Sequence, residues 1–174
     1  MAGVVKTYYD SGQIKEEYFA NGEKKEGEYK SHWEAGQLWE ICNYINGKKE
    51  GEYKSYHTNG QPHIICNHVY GKIEGECKEY YENGQLMAIL NYVNGKKVGE
   101  YKYYHKNGQL YVICNYVNDT IEGEYKSYDK NGELYKIYNY VNGEEENICQ
   151  FVFRITRNFI RCTMTKLMFH MKTQ

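Results

Sequence analysis

Six cysteines, six histidines and a spaced series of glutamates are the residues of this chain that could do chemistry. Cys42, Cys66 and Cys114 recur at multiples of 24 residues. If that interval is two strands, neighbours such as Cys42 and Cys66 lie about 9.5 Å apart, beyond the reach of a disulfide. Cys66 and Cys77 form the one pair that a cross-strand register brings together. The others read as reduced packing residues. With no apolar leader after Met1, this predicts a reducing, cytoplasmic setting (host cytoplasm for a viral chain). His57, His63 and His68 suggest a metal site, but His57 and His63 straddle a turn and are expected to face opposite sides. No Cys-x-x-Cys spacing supports them. Glu28, Glu52, Glu76, Glu100 and Glu124 form a carboxylate ladder that could serve acid–base work. Their expected neighbours, such as Asn43 and Asn115, offer no nucleophile, so the ladder reads as a solvated strand end. No Ser/His/Asp grouping, phosphate loop or dinucleotide fingerprint is present. The expectation is no catalytic residue, no cofactor and no metal.

These residues are positioned by a repeat. Gly3, Gly27, Gly51, Gly75, Gly99 and Gly123 open six units of 24 residues, which run to Glu146. Each unit carries two turn signals, for example Asn107-Gly108 and Asn94-Gly95, with Tyr70-Gly71 and Asn118-Asp119 as variants. Asn-Gly between apolar runs signals a type I′ hairpin, which needs positive φ at both central residues. The intervening segments, such as GEYKYYH and QLYVICNYV, are rich in Tyr, Ile and Val, as strands prefer. The prediction is an all-β chain: a single-layer antiparallel meander of about twelve strands, roughly 55 Å long at the usual strand spacing. A two-residue hairpin at Asn107-Gly108 sets Tyr101 opposite Cys114, Tyr104 opposite Tyr111, and Gly99 opposite Tyr116. Straight rows then place Tyr29, Cys42, Tyr53, Cys66, Cys77, Leu90, Tyr101, Cys114, Tyr125 and Tyr138 on one packed face. Leu38, Leu86, Leu110, Leu134 and Tyr44, Tyr92, Tyr116 and Tyr140 are expected beside them. The bare glycines (Gly27, Gly51, Gly75, Gly99, Gly123) are expected to let these tyrosine rings lie over the next strand.

The opposite face is expected to carry Lys54, Lys102 and Lys126 among Ile65, Ile113 and Ile137. Tyr56, Tyr80, Tyr104 and Tyr128 lie beside them, with lysine stems along the rings. This is the candidate interaction face. His57 and His105 share a repeat position with Tyr9, Trp33, Tyr81 and Asp129, and that variation predicts exposure. Residues 1–146 hold 17 basic and 23 acidic residues, which argues against nucleic acid as a partner. Residues 147–174 hold five basic residues and no acidic one. Three readings of this non-repeat tail compete: a cap over the last sheet edge, an attachment segment, and the remnant of a frameshifted seventh unit. As an attachment segment, Arg154, Arg157 and Arg161 would meet an anionic membrane or an acidic partner. On a helix, Phe151, Ile155, Phe159, Cys162 and Phe169 would share a face. Open edges also allow edge-to-edge self-association.

The pattern of Gly75, Lys78, Tyr80, Asn83, Gly84, Leu86, Tyr92, Asn94, Gly95 and Gly99 resembles the MORN repeat. It is closest to the short variant found in bacterial antitoxin-like, giant-virus and protist proteins. Cys77 departs from the usual aromatic. The resemblance covers residues 3–146 and implies a twisted single-layer scaffold for attachment to an unidentified protein or a membrane. It implies no catalytic residue. For some members it implies an antitoxin that binds a toxin.

Overall fold

The computed structural model describes the backbone of residues 2–155 and 158–163, and the side chains of residues 2–146. Strands β1 (Ala2–Tyr8), β2 (Ile14–Asn21), β3 (Lys24–His32), β4 (Leu38–Ile45), β5 (Lys48–Tyr56) and β6 (Pro62–Val69) form the first three units. Next come β7 (Lys72–Ile73), β8 (Gly75–Tyr80), β9 (Leu86–Val93), β10 (Lys96–Tyr104) and β11 (Leu110–Val117). The units end with β12 (Thr120–Ile121), β13 (Gly123–Tyr128) and β14 (Leu134–Val141). Segments β7 and β8, like β12 and β13, are halves of one strand interrupted at Glu74 or Glu122, so the six units supply twelve strands. All belong to one antiparallel sheet in sequence order, and no described residue is helical.

The sheet does not stop at Glu146. Strand β15 (Glu144–Ile155) pairs with β14, and β16 (Asn158–Thr163) pairs with β15. The helical arrangement of Phe151, Ile155, Phe159 and Cys162 is therefore corrected to strand backbone. Arg154 and Arg161 sit on those two strands, while Arg157 and Phe169 lie outside the described residues.

The two turn classes differ physically. Asn46 and Gly47 both have positive φ, 53° and 80°, as do Asn94-Gly95 and Asn142-Gly143. These are the type I′ turns whose twist matches the strands they join. At Asn107-Gly108 only the glycine is left-handed, at φ 85°. There the His105 amide donates to the Gln109 carbonyl at 2.8 Å, and the Gly108 amide to the His105 carbonyl at 2.8 Å. The loop is thus one residue longer than a two-residue hairpin, and a β-bulge takes up the difference. Tyr104 pairs with Leu110, not Tyr111. Gly99–Tyr116 and Tyr101–Cys114 pair as expected, because both lie beyond the bulge. The bulge also moves Leu38, Leu86, Leu110 and Leu134 off the packed face. Their partners are His32, Tyr80, Tyr104 and Tyr128, so each leucine shares the lysine-bearing face.

The packed face is the Tyr–Cys row. Tyr29, Cys42, Cys66, Cys77, Leu90 and Cys114 all retain 4–6 % of their accessible surface, and Ala88 and Val112 flank them. Serines lie in the neighbouring row, where Ser31 and Ser55 are each 2 % exposed.

The unit-opening glycines have another role than the one expected. A Cβ added at Gly27, Gly51, Gly75, Gly99 or Gly123 meets nothing within 4 Å, so no ring lies against them. Their φ values of 73–80° mark a bulge that only glycine enters without strain. The rings rest elsewhere: Tyr44 edge-on to Tyr29 at 5.6 Å, and Tyr116 to Tyr101 at 5.8 Å.

Candidate interaction surface

On the packed face a Glu–Tyr–Lys set occurs twice. The Tyr29 hydroxyl donates to Glu16 at 3.0 Å, and the Lys25 ammonium lies 3.9 Å from the Tyr29 ring centre. One unit later the Tyr53 hydroxyl donates to Glu40 at 2.7 Å, with Lys49 at 4.2 Å from the ring and 3.5 Å from the carboxylate. Burial, then the Glu hydrogen bond, lifts both phenols well above their usual value, so neither serves as a base. In the next unit Ile64, Cys77 and Ile73 replace all three members at once. This set was missed in the sequence, although Glu16 and Glu40 recur at a position that is apolar in the next unit.

Cys66 and Cys77 face each other across β6 and β8, and the Cys77 thiol donates to Cys66. That bond holds the Cys66 thiol below its ordinary value and raises Cys77. Burial pushes Cys42 and Cys114 up to about 11. All four thiols are free.

Both rims of the sheet are ladders that bind each unit to the next. The Tyr9 hydroxyl donates to the His32 carbonyl at 2.7 Å, and Trp33 Nε1 to the Tyr56 carbonyl at 3.3 Å. His57 Nε2 donates to Tyr80 at 2.8 Å, the Tyr81 hydroxyl to Tyr104 at 2.6 Å, and His105 Nε2 to Tyr128 at 3.0 Å. Every span is 23 residues. The position expected to be exposed is therefore half-buried and needs a ring that carries a donor. Asp129 ends the series. Its Oδ1 instead accepts from the Asn131 and Glu133 amides at 2.8 and 2.9 Å, within its own turn. On the other rim, Glu26, Glu50, Glu74 and Glu122 accept from the amides of Asn46, Tyr70, Asn94 and Asn142 at 2.7–2.9 Å.

The open face is a set of parallel rows. Lys30, Ile41, Lys54, Ile65, Lys78, Ile89, Lys102, Ile113, Lys126 and Ile137 are successive cross-strand partners. Beside them Glu28, Glu52, Glu76, Glu100 and Glu124 alternate with asparagines. Each glutamate is taken up by the lysine two residues on, at 2.7 Å for Glu52–Lys54 and 2.6 Å for Glu76–Lys78. Glu100–Lys102 and Glu124–Lys126 do the same. The carboxylate raises each lysine. The ladder is therefore ion-paired rather than simply solvated, and its ammonium groups go to glutamates. A shallow groove over this face near Gly51 is lined by Ile41, Asn43, Glu52, Lys54 and Tyr56.

The model of the MORN repeat variant matches residues 1–21, 25–46, 49–70, 73–94, 97–118 and 121–142. The chain belongs to the MORN repeat family. MORN repeats are non-catalytic modules that mediate protein–protein or membrane contacts. No curated protein matches the chain.

Within this MORN array the histidines are arranged otherwise than expected. His57 and His63 do not face apart: their rings lie 4.5 Å apart at the rim. Trp33–Trp39 and His105–Tyr111 repeat the contact at 5.4 and 4.5 Å. His68 lies with Cys66 and Tyr53 instead. Among the described residues no group of three His, Cys, Asp or Glu is placed to hold a metal.

Proposed function

We propose that this MORN array is a non-catalytic scaffold that binds another protein through its open face, in a reducing compartment. The observation that carries this is the division of labour between the two faces. One face spends its rings, thiols and Glu–Tyr–Lys sets on its own packing. The other keeps Lys54, Lys102 and Lys126, with Tyr56, Tyr80, Tyr104 and Tyr128, in register at its surface. A long flat surface without a deep pocket suits an extended protein contact. Cys66 does have an imidazole beside it, His68 at 3.9 Å, but that thiol is buried in the packed face, away from the surface offered to a partner. Capture from a native lysate tests the reading. The full chain is compared with one carrying Tyr80→Ala and Tyr104→Ala. A protein lost with those two rings supports the face as the binding surface; one retained by both chains rejects it.

A second reading, membrane tethering, has one observation in its favour: the five basic residues and absence of acidic ones after Glu146. Vesicles containing anionic lipid would then pull down the chain, and Arg154→Ser with Arg157→Ser and Arg161→Ser would release it, as would salt. Equal sedimentation of both chains removes this reading.

A further inference from the structure

The open face is self-complementary, and we propose that its partner is a second copy of this chain, packed face to face about a two-fold axis that runs along the array. The inference rests on the open face being the binding surface and names what binds there.

Four rows make the argument. Reading along each strand, the first row pairs leucines with rings: Leu38 with His32, and Leu86, Leu110 and Leu134 with Tyr80, Tyr104 and Tyr128. The second is the Lys–Ile row and the third the Glu–Asn row. In the fourth, Ile45, Val93, Val117 and Val141, which are 47 %, 48 %, 49 % and 38 % exposed, alternate with their cross-strand partners Lys48, Lys96, Thr120 and Glu144. The two inner rows are thus cationic and anionic, and each outer row sets an aliphatic side chain on every second strand.

A two-fold axis along the array, between the second and third rows, reverses that order in the partner. Each lysine then meets a glutamate and each glutamate a lysine. Leu86 meets the second copy's Val93, Leu110 its Val117, and Leu134 its Val141. Rotation about an axis along the strands would instead set glutamate on glutamate and lysine on lysine, which repels. The charge pattern therefore selects one isologous arrangement. Strands of the two copies stay aligned, as in ordinary sheet-on-sheet packing. Four rows along the array offer roughly 1,000 Å² per copy from strand spacing and rise, against about 800 Å² in a standard stable interface.

The existing Glu–Lys pairs do not oppose this. The glutamate side chains stay 50–63 % exposed while ion-paired within their own chain, so each has oxygen surface left for a second cation. Stacking two such ladders yields alternating networks of four charges, which outperform isolated surface pairs.

The experiment uses the full chain and two triple variants. One carries Glu52→Lys, Glu76→Lys and Glu100→Lys. The other carries Lys54→Glu, Lys78→Glu and Lys102→Glu. Sedimentation equilibrium gives the mass, and circular dichroism confirms that each variant keeps its strand signal. The wild-type chain is expected as a dimer, and each variant alone as a monomer. An equimolar mixture of the two is expected to restore the dimer, because cationic rows then face anionic ones. Three results overturn the proposal: a monomeric wild-type chain at submillimolar concentration, dimers that persist in both variants, or variants that stay monomeric when mixed. Persistent dimers would move the contact to the sheet edges. A monomeric wild-type chain leaves the open face free for an unrelated protein, which the lysate capture tests by itself.

Discussion

Asp119 accepts a hydrogen bond from the Lys97 amide at 2.8 Å, and so reverses the direction of the rim ladder at one joint. Elsewhere Glu26, Glu50, Glu74 or Glu122 reaches forward to the next turn. At the equivalent position Val98 has no carboxylate, and Asp119 supplies one from the turn itself. Asp119 holds φ 71° where the other units have glycine. The two departures from the repeat therefore form a compensating pair. Val98→Glu with Asp119→Gly should restore the forward bond. In a double-mutant cycle measured by urea unfolding, the two sites should couple by about 1 kcal/mol. Additive single effects would show that the sites are independent.

Tyr81 and His105 test the opposite rim. Tyr81→Phe leaves the half-buried Tyr104 carbonyl without its 2.6 Å donor and should cost about 1–2 kcal/mol. His105→Phe should cost a similar amount, and His105→Tyr nearly nothing, because tyrosine serves at Tyr9 and Tyr81. If His105→Tyr is as damaging as His105→Phe, ring shape matters at this position and donation does not.

Thiol reactivity should rank the four described cysteines. Alkylation follows the thiolate fraction, and Cys66 is the thiol held below its ordinary value, by the bond from Cys77. Brief iodoacetamide treatment of the folded chain, mapped by peptide mass spectrometry, should modify Cys66 ahead of Cys42 and Cys114. Cys77→Ala should slow Cys66. Faster labelling of Cys42 would contradict this ranking.

Burial, reinforced by His57, lowers His63; burial, reinforced by Lys49, lowers His68. Glu79 faces the first and Glu40 the second, and each partly offsets the shift. A histidine lowered in the folded state binds protons less readily than in the unfolded chain. Its contribution is complete above the ordinary histidine value and drains as pH falls through that value toward the folded one. The thermal midpoint should therefore drop between about pH 7.5 and pH 5. His68→Tyr and His63→Tyr together, which install residues found at the same positions in other units, should remove most of that drop. An undiminished drop would place the titration elsewhere.

The sequence made the strand order legible, and the pairing of Gly99 with Tyr116 and of Cys66 with Cys77. A 24-residue period and a type I′ turn leave little freedom in register. It misled at Leu110, because Asn-Gly also serves a bulged loop in which only glycine is left-handed. The bulge then reversed the side on which four leucines lie. It misled at His57 too, where variation among Tyr, Trp and His concealed one shared property: each ring carries a polar hydrogen. That signal was present, since no phenylalanine stands in the series. The bonds across 20 and 23 residues link neighbouring turns, and a periodic sequence does not state how turns stack.

The spacing of those bonds sets how the molecule can change length. Each joint is made between one unit and the next by partners at constant separation, so excising or duplicating 24 residues inside the array recreates the joint at the seam. Such a gene can gain or lose a module by unequal recombination, and each event changes the reach of its product by about 9.5 Å without disturbing the joints elsewhere. This freedom is limited at the Val98–Asp119 joint, whose reversed bond a cut between the two residues would lose, and at Asp129. Having surrendered the donor, it is a terminus that new modules must enter ahead of.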